Sequence, residues 1–226
     1  MSRKILVAGR GDFFEVTRGL RRDIHAAQTH WRMWRDLCDA VQAHPLSWAE
    51  AAQFWEITIA AHFETALANL SRAYDYHKDA LSLNAWLQTI KAHHPEIFPT
   101  PTDGGRQVDP EQLQEDIQTT AKDDGVVARL ITYRDTVQAH TSIFRFAPLP
   151  TQPPGDQEIT LSGDDIDALI RRASGLLNRY SLIFDNETFP AWVIGQDSYK
   201  VIFKIVEESL TKTIAERRAF ADKFIG

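Results

Sequence analysis

The sequence predicts an all-α protein: an antiparallel helical bundle with a long proline-rich connector. Three observations carry that expectation. Apolar residues recur at three- and four-residue steps along most of the chain, which places them on one face of a helix. Capping residues stand where those stripes begin. Strand signals are nearly absent; Ile5-Leu6-Val7-Ala8 has a strand's composition and reads better as a packed terminal segment.

The stripes come in order. Leu20, Ile24, Ala27, Trp31, Trp34, Cys38 and Val41 make the first, and His44-Pro45 ends it. Ser47-Trp48-Ala49-Glu50 has the spacing of a capping box, in which the serine accepts from one orphan amide and the glutamate from another. The helix expected after it carries Trp55, Ile59, His62, Phe63, Ala66, Leu70 and Ala73 and runs to about Tyr76. A shorter helix is expected from Ser82 to Ala92, then a loop marked by His94-Pro95, Pro99, Pro101, Gly104 and Gly105. Asp109-Pro110-Glu111-Gln112 starts another helix, with proline where its missing N–H costs nothing. Gly125 stands as an interruption before Val126, Val127, Leu130, Ile131, Tyr133 and Val137 carry the pattern towards Phe144. Pro148, Pro150, Pro153, Pro154 and Gly155 form the stiff connector. Ser162-Gly163-Asp164-Asp165 opens a helix holding Ile166, Leu169, Ile170, Ala173, Leu176, Leu177 and Tyr180. Asn186 to Gly195 reads as a loop. The last helix runs from Ser198 towards Phe224, with Ile202, Ile205, Leu210 and Ile214 as core candidates. There is no internal repeat and no heptad array long enough for a rod.

Composition bounds the function. The chain has 226 residues, enough for one core, and a single domain over 1–226 is expected. No apolar run approaches the roughly 20 residues that span a bilayer, so no membrane partner is expected. The apolar stretch near Met1 is too short for a signal peptide. Cys38 is the only cysteine, which rules out an intrachain disulfide and fits a reducing, cytoplasmic setting. A net charge of −6 argues against a general nucleic-acid coat protein, whose affinity comes from neutralising phosphates. A local basic site stays compatible with it.

Most candidate chemistry fails on spacing. Gly9-Arg10-Gly11 invites a dinucleotide-loop reading, but Phe14 occupies the third glycine's place and no βαβ unit follows. A carboxylate-bridged metal pair needs Glu-x-x-His on inward helix faces. No glutamate stands three residues before a histidine, His25 and His30 fall on different faces, and His93 and His94 diverge; no metal and no cofactor is expected. Trp31, Trp34, Trp55 and Trp86 lie on stripes and read as core.

One segment stands apart: Tyr133-Arg134-Asp135-Thr136-Val137-Gln138-Ala139-His140-Thr141. Arginine holds a phosphate and stabilises charge on it. Histidine moves a proton near neutral pH. Together they suit metal-free RNA cleavage, in which a ribose 2′-hydroxyl attacks its own phosphate. Spacing alone is weak evidence, because Arg18/His25 and Arg72/His77 are similarly spaced. Only Arg134 is followed by a potentially ligating Asp135. Six positions on a regular helix turn through about 240°, so the two side chains converge only if the arginine reaches across or a partner chain completes the site.

Arg134-Asp135-Thr136-Val137-Gln138-Ala139-His140 resembles the Arg-x(4–6)-His motif of the HEPN superfamily, and the nearest likeness is to its abortive-infection-type branch. Phe54-Trp55, Ala61-His62-Phe63, Leu70-Ser71-Arg72-Ala73-Tyr74-Asp75 and Asp79-Ala80-Leu81-Ser82-Leu83 resemble that branch's second and third helices. The likeness covers about residues 20 to 220. It implies an antiparallel bundle and a homodimer with facing motifs. It also implies a metal-independent ribonuclease of toxin–antitoxin or phage-defence systems, with RNA as substrate and a cognate antitoxin protein as partner. By the same resemblance Arg134 binds phosphate, His140 is the acid/base and Asp135 orients them. The alternative is a non-catalytic helical interaction or nucleotide-binding protein, in which Arg134 and Asp135 form a surface ion pair; fold alone does not decide between them.

Overall fold

Eight α-helices and one π-helical turn make up the described residues, with no strand among them. The structure is a computed structural model that describes residues 9–77, 79–98, 106–138, 161–188 and 197–225, and within them every side chain except those at 94–96, 137–138 and 224–225. The Ile5–Ala8 segment, the connector at 147–155, Pro190, Trp192 and His140 lie outside the described residues. The helices are α1 (Arg10–Ala43), α2 (Pro45–Glu50), α3 (Ala52–Ala73), α4 (Leu83–Ile97), α5 (Pro110–Thr119), α6 (Gly125–Tyr133), α7 (Gly163–Phe184) and α8 (Ser198–Ile225), with the π turn at Arg134–Gln138. The all-α expectation is borne out. Gly11 lies inside α1 and Gly9 immediately precedes it, its carbonyl accepting from Phe13 N, so this stretch starts a helix and is not a phosphate loop.

The chain gathers into two compact units, Met1–Ala27 with Leu67–Pro190, and Gln28–Ala66 with Ala191–Gly226. In the first, fully buried Trp86 is central. Phe13 stacks on it at 5.9 Å and Tyr180 meets it edge-on at 5.7 Å. Its indole N–H donates to Thr17 Oγ1 at 2.9 Å, so the large apolar ring is buried without orphaning its polar atom. Phe98 and Phe184 close edge-on around Phe13.

Caps decide where the helices of this unit begin. The Asp109 side chain accepts from Glu111 N and Gln112 N, and that of Asp124 from Val126 N and Val127 N. Ser162 and Asp165 make the full reciprocal box. Gly125 is the first residue of α6, so the expected interruption is real.

Polar side chains then fix the register. Asn84 of α4 donates to Ile117 O and Thr120 Oγ1 of α5, and Lys91 donates to Gln114 Oε1, which makes these helices antiparallel. Along α5 and α6, Asp116 accepts from Arg179 and from the Tyr180 hydroxyl, Asp124 from Arg172, and Asp165 takes both Arg129 Nε and Nη2. The α7 partners fall in number as the α5–α6 residues rise, so α7 runs antiparallel to that pair.

In the second unit, Trp31 stacks on Trp34 at 4.6 Å, and Phe63 lies 5.3 Å from Trp34. His30 and His62 share a hydrogen bond between their Nδ1 atoms at 2.9 Å. Phe203 of α8 is fully buried, stacked on Trp55 at 4.4 Å and on His44 at 5.3 Å.

Three sequence expectations need correction. Ser47 and Glu50 do not cap the long helix. Pro45 starts the separate short helix α2, Ser47 is buried within it, and both Ser47 N and Oγ donate to Glu207 Oε2 at 3.0 and 2.8 Å. On α8 the core residue is Phe203, while Ile202 and Ile205 are 55% and 60% exposed: one residue's shift along a helix is about 100° of rotation and moves a side chain off the buried face. Finally, α4 does not stop at Ala92. It kinks at His93 and resumes to buried Ile97, with Pro95 in the resumed turn, where a proline is tolerated.

Two stability predictions follow from these contacts. Replacing Asp116 by Ala strips the buried Tyr180 hydroxyl of its acceptor, and chemical denaturation should show a loss of about 1–3 kcal/mol. The second concerns pH. Burial holds the pKa values of His30 and His62 below the ordinary histidine value, and for His62 the charge of His30 adds to this. As pH falls through about 6.5 the unfolded chain takes up protons first, so the pair's contribution is present above that pH and lost below it. Thermal melts between pH 7.5 and 5 should show a smaller fall in Tm for a His30→Asn, His62→Asn variant than for the wild type.

Candidate functional site

The site begins with Asp124. Burial works to raise its pKa, but the hydrogen bond from Arg172, the Val127 and Val126 amides and the Arg172 charge outweigh burial and hold it below the usual carboxylate value. A charged N-cap fixes the first turn of α6. Val127, Leu130 and Ile131 then face the core, which sets the helix's rotation. Beyond Tyr133 the backbone opens into the π turn, a rare i→i+5 form often found at functional sites. The 240° separation computed for a regular helix therefore does not apply across Arg134–Gln138, where the wider turn rotates less per residue.

Arg134 opens the π turn. Its Nη1 donates to Asp75 Oδ1 at 2.9 Å and its Nε to Asp135 Oδ1 at 2.8 Å. These bonds raise its pKa further above the arginine value, against burial, so it is a permanent cation. Its side chain is 27% exposed. That figure separates it from the two similarly spaced arginines. Arg18 pairs with Glu15 and is 68% exposed, and Arg72 pairs with Asp23 and is 56% exposed. Of these three, Arg134 alone is both sheltered and clamped by two carboxylates; elsewhere Arg21, 10% exposed and paired with Asp185 and Glu187, has the same setting without the histidine spacing.

Asp75 follows directly on α3. Burial alone would raise its pKa; the His77 amide, the Arg134 bond and the Tyr76 amide more than compensate and lower it. The His77 N–H donates to the same Oδ1 that takes Arg134, at 3.0 Å. The neighbouring Tyr76 hydroxyl is buried and has no hydrogen-bond partner among the described residues.

Of the residues singled out by the sequence, Arg134 and Asp135 therefore meet, and His140 lies outside the described residues. Asp75 was missed as a site residue. It sits in the Leu70–Asp75 stretch that carried the family likeness, yet nothing local ties it to a position 59 residues later. Among the described residues, no three His, Cys, Asp or Glu side chains are grouped to hold a metal, and no helix is long and apolar enough to cross a membrane.

The all-α fold is consistent with a protein of the HEPN type. A family model described as HEPN AbiU2 matches residues 12–201, and the chain belongs to that abortive-infection family. Comparisons with curated proteins and with solved structures give no match.

Arg134 is held by partly exposed ion pairs, which are worth about 0–1 kcal/mol each. Arg134→Ala should accordingly leave the far-UV circular dichroism spectrum unchanged and shift the unfolding free energy by no more than about 1–2 kcal/mol.

Proposed function

We propose that this chain is a metal-independent endoribonuclease of an abortive-infection, toxin–antitoxin type, acting in the cytoplasm as a homodimer. The observation that carries this reading is Arg134 itself: a sheltered guanidinium at a π turn, held by two carboxylates, in the Arg-x5-His segment of a HEPN AbiU2 chain. Two of its N–H groups are engaged by Asp75 and Asp135. The others are available by chemistry to two oxygens of one phosphodiester, a match that a lysine point charge cannot make.

In the reaction the ribose 2′-oxygen attacks the adjacent phosphorus and gives its proton to a base. The P–O5′ bond breaks, and the leaving oxygen takes a proton from an acid. The products are a 2′,3′-cyclic phosphate and a 5′-hydroxyl. His140 serves as the proton-transferring residue, Arg134 neutralises charge gathering on the non-bridging oxygens, and Asp135 orients the guanidinium. Facing motifs of two chains supply the two proton-transfer roles from two histidines. A cognate antitoxin protein covers the site when the system is silent.

A second reading has a specific observation behind it. The Arg134–Asp135 pair at 2.8 Å is the surface ion pair expected of a non-catalytic interaction protein. Cleavage of total RNA by protein freed of any co-purified partner separates the two. Wild type should cleave with or without EDTA and leave cyclic-phosphate ends. His140→Ala should lose about 10²–10⁴-fold in rate while still binding RNA. Arg134→Lys should keep the charge and lose most of the rate. An inert wild type supports the interaction protein, and activity that survives His140→Ala removes the site assignment.

A further inference from the structure

We infer that Asp75 is a positioning residue for the phosphate-binding arginine. It fixes the pose in which Arg134 meets an RNA phosphodiester, and this rests on the reading of Arg134 given above. The geometry has three parts. Asp75 is attached to α3 and Arg134 to the π turn after α6, so their 2.9 Å bond joins two separately anchored elements. Asp75 is itself held, because the amide of His77 donates to the same oxygen at 3.0 Å. Its side chain is only 27% exposed, so it has little freedom to follow a wandering guanidinium. Asp135 is different: it is adjacent in sequence to Arg134 and 55% exposed, and it moves with the turn that carries it. Asp75 is thus the anchor external to the π turn. An arginine pays for several rotatable bonds when it settles on a phosphate, and a fixed carboxylate removes part of that cost before the ligand arrives.

Two roles for this carboxylate predict opposite behaviour. A positioning acceptor works through its oxygen atom, so a neutral amide oxygen in the same place substitutes for it. A competing anion works through its charge, so its removal strengthens phosphate binding. The probe is a fluorescent 2′-O-methyl RNA oligonucleotide, which lacks the nucleophilic hydroxyl and is bound without being cleaved. Its Kd is measured for wild type, Asp75→Asn, Asp75→Glu, Asp75→Ala, Arg134→Ala and the Asp75→Ala, Arg134→Ala double variant, with a thermal melt of each.

A hydrogen bond to a charged group is worth about tenfold or more in an equilibrium, so Arg134→Ala should weaken binding by roughly tenfold. Asp75→Ala removes one partly exposed ion pair worth about 0–1 kcal/mol and should weaken it by up to about fivefold. Asp75→Asn should stay within about twofold of wild type. Asp75→Glu, which keeps the charge but moves it by a methylene, should fall between Asn and Ala. The double variant should match Arg134→Ala alone, because Asp75 acts through the arginine. An unchanged or tightened Kd in Asp75→Ala, with Arg134→Ala weak, overturns the positioning role and leaves the arginine's role standing. A double variant whose losses add overturns it as well. If Arg134→Ala binds like wild type, the phosphate-binding reading falls and the positioning role with it. Should Asp75→Ala fail to fold, the order of the Asn and Glu variants decides the matter.

Discussion

Everything at the candidate site depends on Asp124. Its carboxylate does two things at once: it caps the first turn of α6 at Val126 and Val127, and it accepts from Arg172 of α7 at 2.9 Å. The first fixes where the helix starts and the second fixes where that start lies on α7. The buried face of Val127, Leu130 and Ile131 fixes the helix's rotation. Nine residues after Asp124 the helix gives way to the π turn, and Arg134 emerges at a defined place. The Arg129–Asp165 fork secures the same helix further along, and burial of Asp165 does not prevent its pKa from being lowered to about 2 by Arg129 and Ser162. The site is therefore held by a line of charge-assisted contacts along one side of α7.

The electrostatic setting of Arg134 explains why the two functional readings are close. Two carboxylates beside one guanidinium make a locally anionic group, in a chain whose net charge is already −6. Such a cluster binds a phosphodiester only through directed, short-range hydrogen bonds, because its long-range field repels RNA. That suits a selective site better than a broad RNA-binding surface. The same arrangement without a phosphate is an ordinary structural ion pair. What separates them is whether the guanidinium N–H groups other than those given to Asp75 and Asp135 serve a ligand.

What the sequence made legible was local. The α7 stripe, the Leu20–Trp31 part of the α1 stripe, the Ala66–Ala73 part of the α3 stripe, the Asp109 cap and the helix start at Ser162 all depend on residues within a turn or two of each other, and these appear in the fold; Trp34, Cys38, Val41, Trp55, Ile59, His62 and Phe63 are only half-buried. Failures came where a distant partner intervened. Ser47 had capping-box spacing, but Glu207, 160 positions away, takes both its N–H and its hydroxyl. His30 and His62 stood on separate expected helices, with nothing local to pair them, until packing brought their rings together. Arg134 and Asp135 stood out by chemistry and family likeness, whereas Asp75 did not, because no periodicity links the end of one helix to the turn after another. The Ile202 and Ile205 error is of another kind: α8 carries apolar residues on two faces, and the pattern does not say which one is buried.

The most direct test of the account is to watch Arg134 itself. In a ¹⁵N-labelled protein the Arg134 Nε–Hε resonance, assigned by its loss in Arg134→Lys, reports on the guanidinium and its partners. Titration with a 2′-O-methyl RNA oligonucleotide should shift this signal in a saturable way, with the same Kd as the bulk binding measurement. A bound oligonucleotide that leaves the Arg134 signal unmoved would contradict the assignment of this arginine to the phosphate.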